Sequence, residues 1–263
     1  MPTLSRRIFL TAGGAAALVP TAADAAAPAA HSSPRGGPPK AGAASYVFFN
    51  RDEAALVEAA VERLIPPDAV GPSALEAGVP RYLDLQLHGA WGAGERLYRN
   101  GPWMSGRPTQ GYQLPFTPAE LFRTALRGIR RDLQSTRQTQ FEKLSGDEQD
   151  AYLTHLQTTT LDLDGVPSDV FFESLLAMTI EGYFSDPAYG GNQDMAAWKM
   201  IGFLGAYASY YDLIDQHGIA FTAPPQSLAQ RDSGHIHLMP DIPAGPKPPN
   251  MPQAPHGMKR EGR

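Results

Sequence analysis

The same signal for a helix start recurs along this chain, and it narrows the possible fold more than any other feature. A polar residue able to accept from the backbone is followed three positions later by glutamate in Asn50-x-x-Glu53, Thr117-Pro118-Ala119-Glu120 and Ser145-x-x-Glu148. Such a capping box satisfies donors that every helix start leaves unpaired, and Pro118 adds a ring whose fixed φ suits a first helical turn. Apolar residues then recur at helical spacing. Leu56, Val57, Ala60, Val61 and Leu64 follow the first signal until Pro66-Pro67 stops the run. Leu121, Phe122, Ala125, Leu126, Ile129 and Leu133 follow the second, and Tyr152, Leu153 and Leu156 the third. Residues 169–184 form the most apolar run. Two shorter helices are expected over 72–77 and 80–88, with Val79, Leu83 and Leu87 turned inward and Gly89 and Gly92 closing the section. No segment alternates with period two. The pattern predicts an all-α fold, a single irregular helical domain over 46–221 with long ordered loops rich in Gly, Pro and aromatics.

The most apolar run leads into Glu181-Gly182-Tyr183-Phe184-Ser185-Asp186-Pro187-Ala188-Tyr189-Gly190-Gly191-Asn192. Asp186-Pro187 breaks the helix, Gly190-Gly191-Asn192 supplies backbone able to take positive φ, and a new helix is expected from about Asp194. A loop fixed between two buried helices commonly carries function, although an aromatic-rich structural turn would read the same way. Two further loops, Tyr98-Arg99-Asn100-Gly101-Pro102-Trp103 and Gly111-Tyr112-Gln113-Leu114-Pro115-Phe116, concentrate aromatics where a connection is ordinarily short and polar. Trp103, Tyr112, Tyr189 and Trp198 are therefore candidate docking anchors, with burial in the core as the competing fate of each.

Both ends differ from the middle. Ser5-Arg6-Arg7-Ile8-Phe9-Leu10, a Gly/Ala-rich stretch from Thr11 to Val19, and Ala23-Asp24-Ala25 have the three regions of a twin-arginine export signal over 1–25, with Arg6, Arg7, Phe9 and Leu10 as its readable core. Residues 26–45 are an Ala/Pro/Gly/Ser spacer expected to be disordered, and 222–263 a Pro/Gly-rich tail expected either to lie extended over a partner or to be disordered. Lys plus Arg total 22 against 27 Asp plus Glu, a formal charge of −5 that gives no general attraction to nucleic acid. The chain has no cysteine, which excludes c-type haem attachment, thiolate-held iron–sulfur clusters and disulfides within it. It also lacks a dinucleotide fingerprint and a phosphate-binding glycine loop, so no cofactor is expected in this chain. Export of a folded, cofactor-free protein suggests an escort for a cofactor-bearing partner.

Catalysis and metal binding have thin support. Glu181, Asp186, Asp194 and Lys199 lie close in sequence and could serve acid–base chemistry, but nothing pairs a nucleophile with a base. His235-Ile236-His237 with Asp241 or His256 has metal-ligating residue types in a Pro-rich tail, where histidines are more often solvated.

Several ordered motifs together carry a resemblance. Phe48-Phe49, Gly78-Val79-Pro80-Arg81-Tyr82-Leu83-Asp84, Gly101-Pro102-Trp103, the Gly111–Leu121 segment, Glu181 through Asn192, and Trp198-Lys199-Met200-Ile201-Gly202-Phe203 resemble the gluconate 2-dehydrogenase subunit 3 family over about 47–221. The resemblance implies a non-catalytic small subunit of a periplasmic, membrane-associated dehydrogenase complex that oxidises a sugar, sugar acid or polyol. It implies a large flavoprotein partner that holds FAD and lacks its own export signal, a multihaem cytochrome c subunit carrying haem c, and passage through the twin-arginine translocase. The implied partner interface comprises Gly101, Pro102, Trp103, Tyr112, Asp186, Pro187, Tyr189, Gly190, Gly191, Asn192 and Trp198, and the 186–192 loop is a candidate lining for the partner's substrate entrance. Two positions depart from the family pattern: Ala197-Trp198 stands where Gly-Trp is expected, and Phe203-Leu204-Gly205 where Phe-Pro-Gly is. The second would let the last helix continue through Tyr207, Tyr210, Tyr211 and Ile214. The alternative function is a free-standing periplasmic sugar- or lactone-binding protein or hydrolase.

Overall fold

The computed structural model describes residues 45–95, 97–104, 106–206, 218 and 224–229. The expected export signal with Arg6, Arg7, Phe9 and Leu10, the spacer up to residue 44, Tyr207, Tyr210, Tyr211, Ile214 and the tail histidines His235, His237 and His256 lie outside the described residues. Six α-helices occur among those described: α1 (Arg51–Leu64), α2 (Val79–His88), α3 (Pro118–Arg137), α4 (Gly146–Thr158), α5 (Ser168–Phe184) and α6 (Ala196–Ile201). The mostly helical architecture is the expected one.

The caps form as their residue types require. Asn50 Oδ1 accepts from the backbone N–H of Asp52 and Glu53 at 3.0 and 2.9 Å, and Glu53 accepts in return from Asn50 N–H at 3.0 Å. Thr117 and Glu120 make the reciprocal pair at the start of α3, at 2.8 and 3.2 Å. At α4 the Ser145 N–H and hydroxyl both donate to Glu148, at 2.9 and 2.6 Å.

Helix α5 is chiefly apolar, with only a narrow stripe of Glu173, Ala177 and Glu181 facing solvent. It touches each of the other five helices. Phe171, Phe172, Leu175, Met178 and Tyr183 project from it into the buried core, and Phe171 meets Phe122 of α3 edge to face at 5.4 Å. Burying side chains of this size contributes roughly 1.5–3 kcal/mol each, so this one helix organises much of the stability. The inward faces of α1 to α4 carry the periodic residues read from the sequence, including Val57, Val61, Leu83, Leu121, Leu133 and Leu156.

Two local expectations are corrected, and a short hairpin is added to the helical fold. Where a helix was expected over 72–77, residues 74–78 form turns, because Ser73 and Glu76 close a capping pair that Gly78, at φ 77°, ends within one turn. A two-residue hairpin pairs Asp162–Leu163 with Val166–Pro167. Its turn is Asp164-Gly165, with φ of 60° and 94°, a dipeptide suited to tight hairpin turns but flanked by strands too short to alternate. Gly128 lets this hairpin lie on α3, since a Cβ there would come within 2.7 Å of the Leu163 Cα. Finally, α6 begins at Ala196 and ends at Ile201, where Gly202 at φ 72° closes it, so the helix does not run on through Phe203.

Candidate partner interface

Beyond α5 the chain makes a tight corner over 185–206. Asp186 caps a short 3-10 turn, Pro187–Tyr189, by accepting from Ala188 N–H at 2.9 Å. Asn192, Asp194 and Met195 all take positive φ, at 45°, 55° and 54°, conformations that non-glycine residues adopt only when surrounding contacts enforce them. The contacts are present. The buried Asn192 side chain donates to the Ser185 carbonyl and accepts from Ala197 N–H, each at 2.9 Å, and Gln193 N–H reaches the Ala77 carbonyl at 3.0 Å. Trp198 is 6% exposed and donates its indole N–H to the Phe184 carbonyl at 2.8 Å. Gly191 is also buried, and a Cβ on it would fall 2.1 Å from the Gly182 carbonyl oxygen.

Three of the expected interface residues are buried within the chain. Gly191, Asn192 and Trp198 are built into the fold and offer no side-chain surface to a partner, because the strained backbone here is held by their inward contacts. Tyr189 is different, with 52% exposure, and Ile201, Phe203 and Leu228 lie exposed as well.

The first tail residues fold back on this corner. Gly205 and Gln226 form a parallel bridge, with Ala206 N–H on the Gln226 carbonyl at 2.8 Å and Gln226 N–H on the Leu204 carbonyl at 3.0 Å. The Asp186 carboxylate accepts from the Ser227 hydroxyl at 2.6 Å and from Leu228 N–H at 2.8 Å. Residues 224–229 therefore lie on their own chain, and Asp186 is already engaged within it.

The loop after α2 behaves otherwise. Its ends are tied: Ala119 N–H donates to the Gly92 carbonyl at 3.0 Å, and the half-buried Tyr112 donates its hydroxyl to the Phe116 carbonyl at 3.2 Å. Burial raises the Tyr112 hydroxyl above its ordinary pKa. Between those ties the apolar side chains stay in solvent, with Tyr98 at 80% and Met104 at 73% exposure beside Trp91, Leu97 and Trp103. Gly101 and Pro102 are exposed with them, and Arg99 reaches Glu120 at 3.5 Å.

The acid–base candidates do not converge. Glu181 accepts from the Tyr82 hydroxyl at 3.4 Å, Asp186 is tied to the tail, and no hydrogen bond or ion pair joins any two of Glu181, Asp186, Asp194 and Lys199 among the described residues. Glu181 is an exposed residue whose carboxyl is crowded by its neighbours, and that desolvation raises its pKa while the Tyr82 hydroxyl opposes the shift. The Tyr82 hydroxyl itself is pushed up to about 12, by burial first and by Glu181 second. No group of three or more metal-ligating side chains occurs among the described residues, and no helix there is long and apolar enough to cross a membrane.

Two features were missed in the sequence. Asp84 is fully buried and accepts from the backbone N–H of Val47, Phe48 and Phe49 at 2.8 to 2.9 Å, which fixes the chain ahead of α1. Its signal was a lone acid amid the apolar face of α2. The other is a row of arginines on α3, Arg123, Arg127, Arg130 and Arg131, whose helical spacing was legible but whose partners come from distant residues. No curated protein and no solved structure matches the chain significantly. A family model described as gluconate 2-dehydrogenase subunit 3 matches residues 51–205, more than half of the chain and the whole of the helical core described above, and the chain belongs to that family.

Proposed function

We propose that this chain is the non-catalytic small subunit of a periplasmic, membrane-associated flavoprotein dehydrogenase complex that oxidises a sugar, sugar acid or polyol. In this reading FAD and the active site belong to a large subunit, haem c to a cytochrome subunit, and the Arg6-Arg7 signal takes the large subunit across the membrane with this chain. The family name supports a dehydrogenase assembly. The observation that carries the reading is the run of solvent-facing apolar side chains over 91–104, Trp91, Leu97, Tyr98, Trp103 and Met104. Clustered exposed apolar groups of this kind mark surfaces that a partner covers, and aromatic anchors lose little conformational freedom on docking. Tyr189 and Phe203 give the corner a smaller surface of the same chemistry.

The test is purification of the C-terminally tagged chain from its native periplasm and membrane, with protein composition and absorption spectrum recorded together. A stoichiometric large protein with flavin bands supports the reading; a single colourless band rejects it and favours the free-standing binding protein or hydrolase. Replacing Arg6 and Arg7 by lysine should then leave both proteins in the cytoplasm, and arrival of the large subunit in the periplasm would remove the escort role.

A further inference from the structure

One face of α3 forms a groove with two chambers that share Arg123. The first, of about 410 Å³, is lined by Phe48, Pro115, Phe116 and Ala119 together with the polar Glu120 and Thr124. The second, of about 280 Å³, lies between Asn50, Asp52 and Glu53 on one side and Arg123, Arg127 and Arg130 on the other. From Arg123 to Arg130 is two helical turns, roughly 10 Å along the axis.

The charges in the second chamber do not balance. Arg123 is satisfied, with Glu53 at 2.8 Å, the Phe48 carbonyl at 2.7 Å and its guanidinium 4.2 Å from the centre of the Phe48 ring. Arg130 holds the Asp52 carbonyl and pairs with its carboxylate only at 3.4 Å, where Asp52 is 72% exposed and solvent weakens the attraction. Arg130 Nε is buried with no partner. Arg127 uses Nε alone, on Asp164 at 3.0 Å, a carboxylate that Arg131 also takes at 2.6 Å. The terminal nitrogens of Arg127 carry no bond among the described residues, and its side chain is 61% exposed. Three guanidiniums thus face two carboxylates in a chain whose net charge is −5. Guanidinium donors in a fixed fork suit a planar carboxylate, and they are more weakly hydrated than an ammonium.

We propose that this groove receives a segment of the dehydrogenase's large subunit that presents an aspartate or glutamate close to a bulky apolar side chain. The carboxylate enters between Arg127 and Arg130, and the apolar group fills the chamber floored by Phe48 and Phe116. The inference rests on the subunit reading and adds to it a second contact, electrostatic in character, apart from the aromatic loop.

The test uses the native complex purified through this chain, with retention of the flavin-bearing subunit followed from low to high salt. Arg127→Glu reverses the exposed charge, Thr124→Trp fills the first chamber, and Arg137→Glu is a charge reversal on the same helix outside the groove. The expected result is retention about tenfold weaker for the first two variants and unchanged for the third, with the wild-type complex loosened by salt. If Arg127→Glu and Thr124→Trp hold the flavoprotein as wild type does at every salt level, the groove proposal is overturned while the subunit reading stands. A photo-crosslinking residue at position 124 identifies the occupant. Capture of the large subunit supports the proposal, and capture of this chain's own tail overturns it. A wild-type chain that purifies without a flavoprotein overturns both.

Discussion

In the corner after α5, Trp198 is 6% exposed and gives its indole N–H to the Phe184 carbonyl; in the loop after α2, Trp103 is 39% exposed and Tyr98 80%. Both regions are rich in glycine, proline and aromatics, yet the corner buries its tryptophan, with Tyr189 and Phe203 left exposed, whereas the loop leaves its tryptophan partly in water. The difference lies in the polar residues between the aromatics. Asn192 bonds both flanks of the corner, the Ser185 carbonyl on one side and Ala197 N–H on the other, and so sets the direction in which α6 leaves. Trp198 is carried inward by that direction. The 89–117 loop has ties near its ends, through Gly92 and Tyr112, and no buried side-chain amide among its described residues. Aromatic composition therefore says that a surface will be sticky, whereas the placement of one amide decides whether that surface is used within the chain or outside it.

The largest effect expected on this contrast comes from Trp198→Ala. It empties a buried aromatic site and leaves the Phe184 carbonyl without its donor, at a cost of about 3–5 kcal/mol in urea denaturation of the isolated chain. A loss comparable to that of a surface substitution would mean that the corner is not locked. Asn192→Ala should cost about 2 kcal/mol, because Ser185 and Ala197 each lose a buried partner, and native-state hydrogen exchange should show loss of protection beginning at the Ala197 amide.

A smaller effect concerns the cap that ends the loop. Glu120 is held below its ordinary value of 4.5, first by the Thr117 backbone N–H. A depressed folded pKa contributes stability that is present above 4.5 and lost as pH falls through the folded value. Glu120→Gln should therefore melt below wild type at neutral pH, and the gap should close on acidification below that range. A gap that stayed constant with pH would show that charge plays no part in the cap. The smallest change is expected of Tyr98→Ser and Met104→Ser, each within about 0.5 kcal/mol of wild type for the isolated chain. The same substitutions should weaken retention of the flavoprotein in the native complex. Substantial destabilisation of the isolated chain would place these side chains inside the fold and remove the contrast.

Much of the helical frame was legible because its signals are local. Asn50 with Glu53 and Thr117 with Glu120 mark helix starts within four residues, and the apolar spacing in α1 to α4 names side chains that are buried, from Val57 to Leu156. Gly202 could have been read as the end of α6, since glycine at positive φ closes helices readily. The turn over 74–78 and the Asp164-Gly165 hairpin were harder, because each is too short for periodicity to register.

The candidate interface was legible only as a composition. The sequence by itself determined that this chain makes helices, where most of them begin, which faces they bury, and that its loops carry an excess of aromatic groups. All of that follows from contacts between residues a few positions apart. Tertiary structure alone decided that Trp198 and Asn192 hold the fold while Tyr98 and Trp103 face outward, that Asp186 is taken by Ser227 and Leu228, and that Arg127 shares Asp164 with Arg131. Those outcomes depend on which distant backbone or carboxylate arrives at each polar group, and no local spacing encodes that arrival.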